Sequence, residues 1–443
     1  MKPKPIAAVV LVAGTLTAAV VLPASAEDLA RAKAPEEVGL SSERLERLSA
    51  GFKAGVDKGE IPGAVVLIAR NGKIAYFSAF GFRDREAGAP MTTDAIFRIA
   101  SMTKPVTSLA VMMLAEQGAL QIAHPASRYL PEFKDLQVGV EKKGADGKTE
   151  LALEPPRREM TVHDLLRHTS GFAHGLFGRS MVKDLYDRAA VNDPQTNAEL
   201  VSKLAKLPLQ FQPGSIWEYS IATEVLGRVV EVVSGMSLDA FIAERIAKPL
   251  KLADTGFWVD PSGHARIAEA QVDKATGQRP PLRDVKSRPG WTAGGSGLVS
   301  TALDYARFCQ LLLSGGELDG VRLISRKTID LMTADHLPPG MPMGPTVSRQ
   351  FGILLPSADM GQGFGLGFLV RTSAGRNPMP GSVGEYSWAG LDGTYFWIDP
   401  QENMLAVMMT QDRVYRWNYR YLVRDLVYQA LADQPWSGKG GRT

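Results

Sequence analysis

Leu45, Leu48 and Phe52 recur at helical spacing and predict an amphipathic helix over residues 41–57. Two strand-like runs follow, Ala64 to Arg70 and Lys73 to Phe80. The Asn71-Gly72 pair between them is a strong hairpin signal. After Ser101 the helical period returns. Val106, Leu109, Ala110, Met113 and Leu114 mark one face, and Gly118 ends the run. Pro105 is best tolerated in a helix's first turn, so this helix starts close to Ser101. Residues 119–285 read mostly as helix and loop, with helices at Thr223–Val233 and Ser237–Leu250. The charged stretch from Lys134 to Arg158 reads as an exposed excursion. A glycine-rich segment at 285–300 marks the return to the first subdomain. Then come a helix at Thr301–Leu313, paired strands at Gly393–Ile398 and Met404–Thr410, and a closing helix at Tyr421–Leu431.

This order of elements predicts an α+β fold: an antiparallel sheet flanked by helices, plus an all-α subdomain inserted into it. The length of 443 residues is long for one core and agrees with two packed subdomains. The expected boundaries are 27–118 with 285–435 for the sheet subdomain, 119–284 for the mainly helical one, and 436–443 for a flexible tail. Net charge is +3, and without Lys2 and Lys4 it falls close to neutral. Nothing there points to nucleic acid or to an anionic membrane surface.

Residues 1–26 read as a secretory signal. Lys2 and Lys4 precede an apolar run from Ile6 to Leu22, and Ala24-Ser25-Ala26 forms a small-residue cleavage pattern, which would start the mature chain at Glu27. An uncleaved anchor is the alternative, but the run is borderline in length for it. The single cysteine, Cys309, lies among Phe308, Leu311, Leu312 and Leu313. It reads as a buried small hydrophobe.

The chemistry concentrates at Ser101-Met102-Thr103-Lys104. Positions i and i+3 share a helix face, with Cβ atoms about 5–6 Å apart. The lysine amine can then reach the serine hydroxyl, which is a weak nucleophile until a neighbouring base takes its proton. The Ser101 backbone N–H, at a helix start, can also face a developing oxyanion. S-x-x-K alone is a weak signal. Ser180-Met181-Val182-Lys183 is a second match, with no strand before it and no long apolar period after it, and it reads as chance.

Context separates the two. The run Phe97-Arg98-Ile99-Ala100-Ser101-Met102-Thr103-Lys104 is supported by Leu165-Leu166-Arg167-His168-Thr169-Ser170-Gly171, by Gln212-Pro213-Gly214 with Trp217-Glu218-Tyr219-Ser220, and by Ala293-Gly294-Gly295-Ser296-Gly297-Leu298. Together these strongly resemble the serine β-lactamase and penicillin-binding-protein superfamily, in particular its class C-related branch and family VIII carboxylesterases. The resemblance runs roughly from Gly63 to Thr410. It implies a β-lactamase/transpeptidase-like fold and an acyl-enzyme hydrolase. By resemblance, Tyr219 is the tyrosine of the Y-x-N motif and shares proton transfer with Lys104. On the residue alone, a tyrosine packed before a helix is an equal reading. Ile221 stands where that motif has Asn, a departure. Trp388-Ala389-Gly390 matches the third element, K-T-G in β-lactamases and often W-x-G or H-x-G in the esterase branch. Gly390 is expected to let a substrate approach the strand edge. The resemblance makes the Leu391 N–H the second oxyanion donor beside Ser101. Ile221, Trp388, Ala389 and Gly390 are thus the expected substrate-binding residues.

Other constellations carry less. Gly294-Gly295-Ser296-Gly297-Leu298 is not G-x-S-x-G and reads as a tight glycine turn. His163 and His168 are five apart, which does not place them on one helical face for a metal, and His168 and His174 read as structural. A Ser-His-Asp triad is not excluded on sequence alone, but no elbow supports it. Arg413, Arg416, Arg420 and Arg424 are interleaved with aromatics, which reads as a terminal helix packing on the sheet rather than as a nucleic-acid surface.

The expectation is therefore an exported serine hydrolase that cleaves carboxylic esters through a Ser101 acyl-enzyme. A β-lactamase or D-amino-acid peptidase on the same machinery is the alternative. From a different class, an inactive peptidoglycan-binding or sensor module stays open, although Ser101, Lys104 and Tyr219 argue against it. No metal or organic cofactor is implied. The expected partner is a small-molecule ester or amide, with no nucleic acid and no stable membrane insertion after leader cleavage.

Overall fold

Asn71 and Gly72 both take positive φ, 54° and 73°. That is the conformation a two-residue turn needs to match the twist of its strands. Strand β1 (Gly63–Arg70) accordingly folds back on β2 (Lys73–Asp84), with Leu67 opposite Phe77. The computed structural model describes residues 29–174, 177–344 and 351–432. The expected leader at 1–26 and tail at 436–443 lie outside the described residues.

β1 becomes an inner strand of an eight-stranded antiparallel sheet. The short β3 (Ala89–Pro90) forms one edge. The remaining strands come from late in the chain: β4 (Gln362–Phe364), β5 (Leu369–Arg371), β6 (Tyr386–Ala389), β7 (Tyr395–Asp399) and β8 (Met404–Met409). The spatial order is β4-β5-β6-β7-β8-β1-β2-β3. The β8–β1 pairing, with Val407 opposite Leu67, joins the two halves.

Every residue of β1, β7 and β8 is buried. Side chains alternate across a pleat, so such strands need cover on both faces. The helices that frame the sheet and the site are α1 (Ser42–Lys58), α2 (Thr103–Glu116), α3 (Ala222–Ser234), α4 (Ala302–Leu313) and α5 (Arg416–Tyr428). α1 and α5 pack together on one face, where Phe52 stacks on Phe80 and meets Tyr419. α4 covers the other face against β8 and β1, and buries Cys309 completely. α2 packs against α3 and is buried from Thr103 to Leu114.

Two expectations are corrected. The charged excursion is exposed over most of its length but is not a loop. Val138–Lys143 and Thr149–Glu154 pair as a hairpin, with only Val138 and Gly139 buried. Its lysines and glutamates hide the strand signal. The closing helix begins at Arg416, five residues before the expected Tyr421. Its buried face includes Arg420 and Arg424 with Tyr419, Val423 and Val427, so charged residues occupy positions that a hydrophobic pattern leaves blank.

Candidate active site

Phe97–Arg98 pairs with Val299–Ser300, which brings the glycine-rich segment beside the run that leads to Ser101. Ala100 then takes φ 44°. Left-handed backbone is disfavoured for a residue with a Cβ and costs roughly 1–2 kcal/mol, so strain sits immediately before the candidate nucleophile. The chain runs through a 3₁₀ turn at Ala100–Met102 directly into α2. Ser101 therefore stands at the helix start, as its sequence context predicts.

Lys104 reaches back from the first turn of α2. Its Nζ is 3.5 Å from Ser101 Oγ and donates to the Gly295 carbonyl at 2.9 Å. Tyr219, just before α3, donates from its phenol to Ser101 Oγ at 2.7 Å. Lys104 Nζ also lies 4.6 Å from the centre of the Tyr219 ring. Ser101, Lys104 and Tyr219 thus meet from two helices that pack together. The second S-x-x-K does other work. Ser180 caps the helix Met181–Arg188 by accepting from the Lys183 amide, and Lys183 pairs with Asp187.

His168 and His174 bracket the Tyr219 ring at 4.9 and 5.2 Å between centroids, and His174 stacks within 13° of parallel. Burial, then the charge of Lys104, holds both imidazoles well below their ordinary value. They are uncharged near neutral pH and pack as aromatic walls. His163 lies elsewhere, its Nε2 2.9 Å from His336 Nδ1. Ser101 Oγ bonds to Lys104 and Tyr219, so no Ser-His-Asp arrangement forms around it among the described residues.

Ser101 and Tyr219 open onto a cavity of about 380 Å³. Trp388, Ala389, Gly390 and Leu391 line it from the end of β6, opposite Phe177 and Phe351. The sequence-based site is therefore brought together with one exception. Ile221 is 4% exposed, stands at the N-cap of α3 and does not line the cavity. Its apolar side chain joins the core cluster instead.

Gly390 is small for a different reason than expected. A methyl there would sit 2.1 Å from Thr394 Oγ1 and 2.5 Å from the Ile99 carbonyl. The glycine admits the close approach of β6 to the turn that carries Ser101. Gly390→Ala should therefore lower Tm and slow reaction at Ser101 together, since overpacking typically costs 1–3 kcal/mol. Thermal melts and probe-labelling rates on one preparation check this. Loss of neither would contradict the packing account.

Phe177, Phe351 and Leu354 were not expected at the site, and neither were three residues of α5 that also line the cavity: Arg416, Trp417 and Arg420. The arginine–aromatic run does pack as a terminal helix, but its first turns also face the site. Arg420 donates to the Gly390 and Thr394 carbonyls, and burial lowers its guanidinium to about 9. Burial also lowers Arg416. The discounted glycine turn was missed as well, because Gly295 supplies the acceptor for Lys104. The signal for both was present in the sequence, but only the fold places them. Among the described residues, no group of three or more His, Cys, Asp or Glu side chains is placed to hold a metal ion.

Known proteins match this picture. The family description "Beta-lactamase" fits residues 48–428. The chain is 34% identical over 376 residues to Protein Rv1367c of Mycobacterium tuberculosis, covering 83% of this chain and 90% of that protein. It is 30% identical to Esterase EstB of Burkholderia gladioli, over 82% of this chain and 89% of the esterase. The solved structure of EstCE1, described as a hydrolase with promiscuous acyltransferase activity, superposes with a TM-score of 0.71 at 28% identity, covering 87% of this chain and 98% of that one. A serine, lysine and tyrosine meeting at the mouth of a cavity, on a sheet built from both ends of the chain, are set within a match that spans most of the sequence: the chain belongs to the beta-lactamase family of serine hydrolases.

Proposed function

We propose that this protein hydrolyses carboxylic esters through an acyl-enzyme on Ser101. The observation that carries the reading is the pair of contacts on Ser101 Oγ, 2.7 Å to the Tyr219 phenol and 3.5 Å to Lys104 Nζ. Lys104 and Tyr219 together take the serine proton as Oγ attacks the ester carbonyl. The backbone N–H groups of Ser101 and Leu391 hold the oxyanion. The ester C–O bond breaks, and the alcohol leaves with the proton from the pair. Water then gives a proton to the same pair, attacks the acyl carbon and releases the acid, and the proton returns to Ser101. The esterase name of one relative and the aromatic cavity walls support an ester substrate. Intact-mass measurement after an acylating probe separates an enzyme from an inactive binding module, which would give no adduct.

A β-lactam or D-amino-acid peptide is the second reading, and one observation favours it: Arg416 and Arg420 bring positive charge to the cavity. Trp388 occupies the K-T-G lysine position, and Ile221 offers no amide to a substrate. A neutral hydrogen bond contributes about 0.5–1.5 kcal/mol and one to a charged group about 1.5–3. With the arginines partly replacing the lysine, kcat/KM for a short-chain aryl ester should exceed that for a chromogenic cephalosporin by roughly tenfold or more. Equal values, or a faster cephalosporin, would favour the second reading.

The same reading places the protein outside the cytoplasm, periplasmic or secreted, with residues 1–26 removed. The mass of the exported chain should correspond to an N-terminus at Glu27. A full-length mass in the cytoplasmic fraction would contradict it. No helix among the described residues is long and apolar enough to cross a membrane.

A further inference from the structure

Glu224 is a buried carboxylate that the steps above do not use. It lies in the first turn of α3 and is 8% exposed. Its Oε2 accepts from the Gly295 amide at 2.7 Å, and its Oε1 accepts from the Ser296 hydroxyl at 3.1 Å. The Gly295 carbonyl in turn accepts from Lys104 Nζ. A methyl placed on Gly295 would lie 2.8 Å from Glu224 Oε1 and 3.1 Å from Lys104 Nζ. Carboxylate and amine therefore face each other across one α-carbon, under about 6 Å apart, a range in which opposite charges favour each other's ionised forms.

We infer that Glu224 is a positioning residue for the Ser101 chemistry: it fixes the Gly295 turn that holds Lys104 against the serine, and its charge sets how low a pH still leaves Lys104 and Tyr219 able to take the serine's proton. The inference rests on the proposed roles of Ser101, Lys104 and Tyr219. The surrounding groups leave this task to Glu224. Lys104, Arg283 and the Ser296 hydroxyl face it, and burial nonetheless pushes its carboxyl up. Arg283 is turned to the Phe257 and Gly297 carbonyls. The Tyr219 ring lies 4.6 Å from Lys104 Nζ, and the uncharged His168 and His174 also feel its charge. Glu224 is thus a carboxylate set against Lys104.

The test uses the full chain and a fluorophosphonate probe, whose fluoride Ser101 Oγ displaces. The labelling rate is followed across pH by intact mass and rises along an acid limb as the base pair loses its proton. In Glu224→Gln the charge that favours the ammonium is gone, so the limb should move to lower pH by about one unit. Glu224→Asp keeps the charge one methylene farther back, and its limb should fall between the two. A purely structural role would scale the rate evenly and leave the limb in place. A Glu224→Gln limb that stays or moves up overturns the inference. If that variant does not fold, a Glu224→Asp limb that coincides with the wild type or moves up overturns it. Failure of the underlying reading looks different, because the wild type itself would then not be labelled at Ser101.

Discussion

Ser101→Ala should abolish covalent labelling and lower ester turnover by about 10⁴-fold or more, with the fold intact. The size of the effect follows from what the atom does. Tyr219 and Lys104 both contact Ser101 Oγ, and removing that atom removes the group whose proton they are placed to take. The stability cost is small for the same geometric reason. Lys104 keeps its bond to the Gly295 carbonyl, and the Tyr219 hydroxyl then faces the open cavity. Losing one hydrogen bond of this kind costs about 0.5–1.5 kcal/mol. Ser180→Ala is the matched control. It removes a helix cap, worth about 1 kcal/mol of stability, and should leave turnover unchanged. Labelling stoichiometry, kcat and Tm on both variants decide the matter. A Ser101→Ala protein that kept a tenth of the activity while Ser180→Ala lost it would move the nucleophile to the other site.

Lys104→Ala and Tyr219→Phe should each slow the chemical step by about 10²–10⁴-fold, the usual span for a positioned acid or base. Both contact the same oxygen, and Lys104 Nζ lies over the phenol ring, so they act on one proton path. The double variant should therefore lose less than the product of the two single losses. Single-turnover rates on one ester give all four corners of the cycle. Strict multiplication of the two effects would show independent roles and remove the shared path. Tyr219→Phe is the cleaner variant, because the phenylalanine ring keeps the packing between His168 and His174.

How much of this could be read in advance depended on where each signal lay. Leu45, Leu48 and Phe52, the Asn71-Gly72 turn and Pro105 are local features, and each element they predict is present, although β2 runs four residues past the expected Phe80 to Asp84. The S-x-x-K pair is also local, since three residues of helix suffice to bring Lys104 back to Ser101. Tyr219 and Trp388 are not local, and a resemblance was needed to place them. What was lost came from side chains whose surroundings are made by distant segments. Arg420 reads as a surface charge until the Gly390 and Thr394 carbonyls are found at its guanidinium. Gly390 reads as room for a substrate, and only the fold shows that Ile99 and Thr394 fill the space a side chain there would need. Ile221 reads as a binding residue by its place in a motif, yet the turn into α3 buries it.

The pairing of β1 with β8 has a bearing on timing. During synthesis, β1 can zip to β2 as soon as both exist, but its other edge has no partner until β8, more than 300 residues later, is made. That strand is apolar from Ala64 to Ala69, and unpaired edges of this kind invite association with other chains. Such long-range pairing also folds slowly. Ser101, Lys104 and Tyr219 can all be present in a growing chain that still lacks β6 and the Leu391 amide. On the proposed roles, the nascent protein carries its nucleophile and one oxyanion donor long before the second donor, the Leu391 amide, is made, and turnover waits for the late strands to join the early ones.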